Sequence, residues 1–281
     1  MDTKMYIISG RHHAEGILNN DSSNLMQGYW ELGWECTISN VYIKQGLADG
    51  KFSKSDTVVT RKDREFMYSS VFDEVIDWDT FVNERGGETN NECFAIPDII
   101  KMSEIIKFDY DNVDVDLLCD MDLDTNIEKK YNITDKFMVY CVRLRKHSSY
   151  RNMNINVAKN AMRTFIDKGY RVFIVGYGSE YLEEELPVTW VNLRDYASLL
   201  ASKHCKFTIS GMSGIIHLAN FVGRENLTSL IFDQVNYRGK EVGKNHPLFM
   251  GDNVNYKKLD RRFVPTWETE AAIYSNLKDF L

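Results

Sequence analysis

The feature that most constrains this chain is the run from Phe137 to Asp233, where short apolar segments alternate with amphipathic ones. Residues 137–142 (FMVYCV), 171–175, 189–192, 207–209 and 228–232 read as buried strands. Between them, residues 154–168 carry Val157, Ala161, Met162 and Phe165 at helical spacing, and 196–203 and 214–222 also read as helices. Strands that are apolar along their whole length bury both faces. Strands separated by helices need crossovers rather than hairpins, so the pattern predicts a parallel sheet covered on both sides.

The same alternation is present earlier. Residues 5–9, Thr57–Thr60 and 74–78 read as strands, and 94–99 as a further short one. Residues 21–34 read as a helix capped by Asp21, with Gly33 near its end, and 98–106 as a second helix. Between the two sets lies an acidic stretch, 108–126, read as a solvated linker. The expected organisation is α/β: one Rossmann-like domain over 1–120, a second over 121–265, and a C-terminal helix over 266–281 that packs back on the first domain.

Composition narrows the function classes. A net charge of −7 lacks the basic footprint that nucleic acid requires, while local basic clusters still suit an anionic small molecule. No apolar stretch approaches the ~18 residues of a membrane span. The N-terminus is too short and polar for a signal peptide and reads as a first strand. The five cysteines are scattered without CxxC spacing, which predicts neither a disulfide framework nor a zinc site. A reducing, cytoplasmic setting is therefore expected. Asn132 and Asn226 begin glycosylation-type triplets, which chance explains in a chain rich in Asn.

Two elements of the second set suit phosphate. Arg143, Arg145, Lys146 and Arg151 follow the first strand, and guanidinium groups offer forked donors to phosphate oxygens. Ser210, Gly211, Met212, Ser213 and Gly214 follow the strand at 207–209 and open a helix. A Gly/Ser loop there presents backbone N–H groups and the positive end of a dipole. Gly176, Tyr177 and Gly178 form a strand-ending turn with room for a base or ribose and with Tyr177 available for stacking. Leu193 and Arg194 could hold a base through backbone groups. His217 sits one turn after Ser213 on an otherwise apolar helix, where a core histidine competes with a diphosphate ligand.

Over residues 137–233 these motifs resemble a glycosyltransferase of the GT-B type: Arg143 and Arg145 after a strand, then Tyr150, Arg151 and Asn152, then Leu193 and Arg194, then Ser210–Gly214 with His217. The resemblance implies two facing Rossmann-like domains, the second holding the nucleotide diphosphate and the first the acceptor. It also implies a C-terminal helix crossing back to the first domain. The chain further resembles small glycosyltransferases of large algal viruses, which implies a UDP-sugar donor, xylose in particular, a glycan acceptor, and the host cytoplasm as location. No cofactor is implied. Transfer is expected to be metal-independent and inverting, with cations and N–H groups stabilising the leaving diphosphate.

Inversion needs one base. Asp73 is the first choice, between two strands; Asp21, His12 beside His13, and Glu15 follow. Tyr29, Trp30, Trp34 and Trp78 are candidate contacts for acceptor sugars. Three other readings stay open. A nucleotide-dependent oxidoreductase would use the Gly176–Gly178 turn with Asp195 as ribose ligand. A sugar-nucleotide-binding module would bind without transfer. A metal-dependent transferase would use Asp120, Asp122 and Asp124 as its DxD; a calcium-loop reading of the same stretch fails, because Thr125 and Tyr131 occupy the positions where such a loop needs Gly and Glu.

Overall fold

The computed structural model describes residues 5–9, 32, 35–86, 92–95, 114–144, 152–211, 213–232, 259–264 and 266–281. Two compact units emerge, Met1–Asp122 and Leu123–Leu281.

In the first unit, β1 (Tyr6–Ile8), β2 (Thr57–Thr60), β3 (Glu74–Asp77) and β4 (Cys93–Ala95) form a four-stranded sheet in the order β3-β2-β1-β4. Every pairing is parallel. Its helices are α1 (Asn40–Ala48), α2 (Trp78–Arg85) and α3 (Val115–Cys119). Trp78 starts a helix instead of ending a strand, because Asp77 caps it: the carboxylate accepts from the N–H groups of Asp79 and Thr80 at 2.9 and 3.1 Å. Gly86, at φ 63°, ends that helix in the left-handed conformation. Trp78 packs on Phe81, ring centroids 5.3 Å apart, in a core with Ile8 and Val59. It is therefore core and not a sugar contact. Tyr29, Trp30 and Trp34 lie outside the described residues.

The described part of the acidic stretch keeps Asp114, Asp116 and Asp120 exposed, as its solvated reading expects, but it is folded rather than a plain linker. Its acidic residues are interleaved with apolar ones, and Leu118 and Met121 are buried. The Leu118 carbonyl accepts from Asn40 Nδ2 and Lys44 Nζ, each at 3.3 Å. The Asp120 carbonyl accepts from Lys44 Nζ and from Ser70 Oγ. A lysine here satisfies carbonyls at a helix C-terminus that no further turn can reach.

Burial pushes the Lys44 amine down from 10.5 to about 7, with the Asp120 carboxylate partly opposing the fall. Between these two values the unfolded chain binds more protons than the folded one, so stability rises with pH across that window. The gain is complete above 10.5 and is lost as pH falls through about 7. The urea midpoint of the wild type is expected to climb from neutral to alkaline pH until other groups titrate, and Lys44→Met should flatten that climb.

In the second unit, β5 (Phe137–Cys141), β6 (Arg171–Val175), β7 (Val188–Trp190), β8 (Cys205–Gly211), β9 (Thr228–Phe232) and β10 (Asp260–Val264) form one sheet. Its order is β10-β9-β8-β5-β6-β7, parallel throughout. The helices are α4 (Ile127–Lys130), α5 (Ile155–Asp167), α6 (Leu182–Glu185), α7 (Leu193–Ala201), α8 (Ile215–Val222) and α9 (Glu270–Asn276). Asn154 caps α5, and Ala158, Ala161, Met162 and Phe165 bury its inner face. Asn132 and Asn226 sit at φ 49° and 60°. Left-handed turns, which asparagine tolerates well, account for both residues.

The tail spends its apolar face inside the second unit. Ile273 and Leu277 are fully buried in the core of the second unit, with Tyr274 and Phe280 against it. Thr164 and Tyr274 share a hydroxyl hydrogen bond of 2.8 Å, and Tyr140 donates to Glu268 at 3.0 Å. Within its own unit, α9 packs against α5.

Candidate functional site

The strand order of the second unit reverses at one place. From β5 the chain moves through β6 to β7 on one side, then returns to place β8, β9 and β10 on the other. Strands β5 and β8 are neighbours at that reversal, and Cys141 is the Cα partner of Ser210. In open parallel sheets, ligands bind beyond the carboxyl ends of the strands at this switch point. Arg143 leaves β5 and Ser213 leaves β8 at that end, so the two phosphate-type elements read from the sequence lie side by side.

Arg143 is half-buried. It donates from Nη1 to Asn152 Oδ1 at 2.8 Å, and its carbonyl accepts from the Met153 N–H at 3.2 Å. Asn152 thus returns to the strand end and steadies the guanidinium. Arg145, Lys146, Arg151 and Met212 lie outside the described residues.

The Gly/Ser loop is shorter than predicted. Ser210 and Gly211 belong to β8, because β9 continues the ladder beside them: Ser210 pairs with Ile231 and Gly211 with Phe232. Their backbone serves the sheet. Ser213 and Gly214 form the connection into α8, whose N-cap residue, Gly214, makes no side-chain cap hydrogen bond. The Ser210 hydroxyl is fully buried with no hydrogen-bond partner among the described residues, a rare state for a native polar atom. His217 is buried and underlies the start of α8. It is not displayed as a surface donor.

The Gly176–Gly178 turn follows β6. Gly176 adopts φ 139°, and a Cβ there would lie 1.7 Å from the Val142 carbonyl oxygen. The first glycine therefore lets the chain leaving β6 pass against the chain leaving β5. Its carbonyl accepts from Ser179 Oγ at 2.8 Å and Trp190 Nε1 at 3.3 Å. Tyr177 is 74% exposed. Leu193 and Arg194 occupy the first turn of α7, beyond β7, where Asn192 caps the helix by accepting from the Asp195 N–H at 2.8 Å. The helix begins three residues earlier than predicted because of that cap.

Asp195 is committed elsewhere. Its carboxylate accepts from Lys130 Nζ at 2.8 and 2.7 Å and from the Tyr131 hydroxyl at 2.6 Å. Burial and the Asp195 contact raise the Tyr131 hydroxyl well above its usual range, so it stays a donor. A carboxylate held this way is not presented to a ribose, and the oxidoreductase reading loses its acidic ligand. Among the described residues Asp120, Asp122 and Asp124 do not form a group placed to share a cation. The Asp122 N–H donates to the Phe66 carbonyl, while the Asp124 carboxylate accepts from the Asn126 N–H at 2.9 Å.

In the first unit the structure corrects the leading base candidate. Asp73 is exposed and precedes β3, and its N–H donates to the Lys54 carbonyl ahead of β2. Both positions are at the amino-terminal edge of the parallel sheet, the end away from ligand sites. His12, His13, Glu15 and Asp21 lie outside the described residues.

The carboxyl end of that sheet holds a group the sequence reading missed. The Glu35 carboxylate is fully buried. It accepts from Ser9 Oγ at 3.0 Å, from the Thr60 hydroxyl, and from the Tyr68 hydroxyl at 3.4 Å. Arg64 meets it at 2.5 Å. The available signal was a lone Glu between Trp34 and Cys36, a setting in which a carboxylate must find partners.

No protein-family model matches the chain, and no curated sequence does. Several solved structures share its fold. ADP-heptose LPS heptosyltransferase II of E. coli superposes with a TM-score of 0.54 at 10% identity, covering 99% of this chain and 98% of that one. E. coli heptosyltransferase WaaC with ADP gives 0.51 at 10% identity, covering 99% and 100%. The same enzyme with ADP-2-deoxy-2-fluoro heptose gives 0.51 at 11%, again over 99% and 100%. At these identities the likeness is one of fold: α/β, with two Rossmann-like units as in GT-B proteins.

Proposed function

We propose that this chain is a glycosyltransferase that binds a nucleoside diphosphate sugar at the carboxyl end of the second unit's sheet. One observation carries the proposal: Arg143 and the Ser213–Gly214 turn leave adjacent strands at the point where strand order reverses. A guanidinium and a helix start together favour the two negative charges of a departing diphosphate. In the reaction the bond from the anomeric carbon to the phosphate oxygen breaks. The acceptor hydroxyl oxygen forms its bond to that carbon from the opposite face, and its proton passes to a base. The anomeric centre inverts, and Arg143 does the work a metal would otherwise do. With Asp73 at the wrong edge, His12 and Asp21 are the proposed sources of the base. The acceptor is a glycan hydroxyl.

The donor is set by experiment between two expectations. Resemblance to viral transferases favours UDP-xylose, whereas the E. coli heptosyltransferase that shares the fold was solved with ADP and an ADP-heptose analogue. A thermal-shift panel of ADP, UDP and their sugars, with and without EDTA, separates them. The true nucleotide at a hundredfold excess over its Kd is expected to stabilise by about 2.7 kcal/mol, a rise of several degrees. EDTA should leave that rise intact. Arg143→Ala should weaken binding about tenfold or more, the loss of one charge-assisted hydrogen bond. No shift with any nucleoside diphosphate would end the proposal, and a shift without turnover on any acceptor would favour a binding module.

A further inference from the structure

Among the described residues Tyr177 is the most exposed large apolar side chain, at 74%. Exposure at this level is normal for a loop residue, but this loop is not loose. The carbonyl of the preceding Gly176 is held by Ser179 and Trp190. Ser179 itself is fully buried, and Gly178, at φ 82°, places its Cα where a Cβ would sit 3.1 Å from the Leu144 carbonyl oxygen. An aromatic ring is thus carried in water on a braced turn, and burying it in its own core is not an option the turn offers.

Its position in the sheet gives the ring a use. Tyr177 follows β6, the Ser213–Gly214 turn follows β8, and only β5 lies between those strands. Parallel neighbours are ~4.8 Å apart, so the two strand ends are separated by about 10 Å. That is the span of a nucleoside diphosphate from its terminal phosphate to its base. All three ends point the same way, since each pairing is parallel.

We propose that Tyr177 is the stacking platform for the nucleobase of the donor. This rests on the reading of the site as a nucleoside diphosphate site and adds the residue that holds the base. An exposed ring recognises any base through its π-face, so Tyr177 sets affinity for nucleotide over bare pyrophosphate more than it selects one base.

The test compares ADP, UDP and inorganic pyrophosphate on the full chain by calorimetry, using wild type, Tyr177→Ala and Tyr177→Phe. Tyr177→Ala is expected to weaken the preferred nucleotide about tenfold and to leave pyrophosphate unchanged. Tyr177→Phe, which keeps the ring, should bind as wild type. Because the side chain is exposed, melting temperatures should agree across the three proteins. Unchanged nucleotide affinity in Tyr177→Ala overturns the assignment. So does an equal loss for pyrophosphate, which would mean the phosphate end had been disturbed. If wild type binds pyrophosphate but gains nothing from the nucleoside, the stacking role is rejected while the phosphate site stands. If it binds none of the three, both fall.

Discussion

Replacing Gly176 with alanine is expected to be among the most damaging single changes in the second unit. The residue sits at φ 139°, outside the regions open to L side chains, and its added methyl would lie 1.7 Å from the Val142 carbonyl oxygen. That oxygen belongs to backbone at the end of β5 and cannot swing away as a flexible side chain would. Holding a non-glycine residue in such a conformation costs about 1–3 kcal/mol. Overpacking adds about 1–3 kcal/mol more. Together they predict a loss of roughly 10 °C in Tm for a domain of this size. Gly178→Ala should cost less, because its nearest atom is 3.1 Å away. Thermal unfolding of the two variants side by side checks the order. If Gly176→Ala melted with the wild type, the close approach of the two strand ends would be wrong, and with it the bracing of the turn that carries Tyr177.

That close approach shows where sequence reading succeeds. β2, β6 and β9 were legible to the residue, because each is a short apolar stretch entered through a Thr or Arg and followed by a polar or Gly residue. The basic segment and the Ser/Gly loop were placed after strands for the same reason, but the strand order that makes those two strands neighbours was not legible. β10 was not legible. Its sequence, DRRFV, lies at the sheet edge with one neighbour, so nothing forces it to be apolar. The start of α7 was misplaced because its cap is a polar residue whose role appears only when its side chain turns back on the Asp195 N–H. The tail's packing against α5 was not legible, because an apolar helix face says that it packs, not on what. Asp73 fails for a related reason. Proximity in sequence to two strands carried no information on which edge of the sheet it would occupy.

The Glu35 cluster is the clearest case of a group that burial alone defines, and its loss should be felt throughout the first unit. Glu35→Gln keeps an acceptor for Ser9, Thr60 and Tyr68 but removes the charge opposite Arg64, whose side chain is 5% exposed. Breaking one partner of a buried pair is strongly destabilising, about 3–5 kcal/mol, because the remaining charge stays out of water. The pair itself is worth far less than that, since both ions were desolvated to make it. Adding Arg64→Met to Glu35→Gln removes the buried guanidinium, from which Asp63 lies 3.8 Å away, and is expected to recover most of the loss. The coupling between the two sites, read from urea midpoints in a double-mutant cycle, should therefore be large and of opposite sign to the single effects. Simple addition of the two losses would show that Arg64 and Glu35 do not depend on each other. The carboxyl ends of β1 and β2, from which Ser9 and Thr60 reach this carboxylate, would then owe their alignment to the sheet alone.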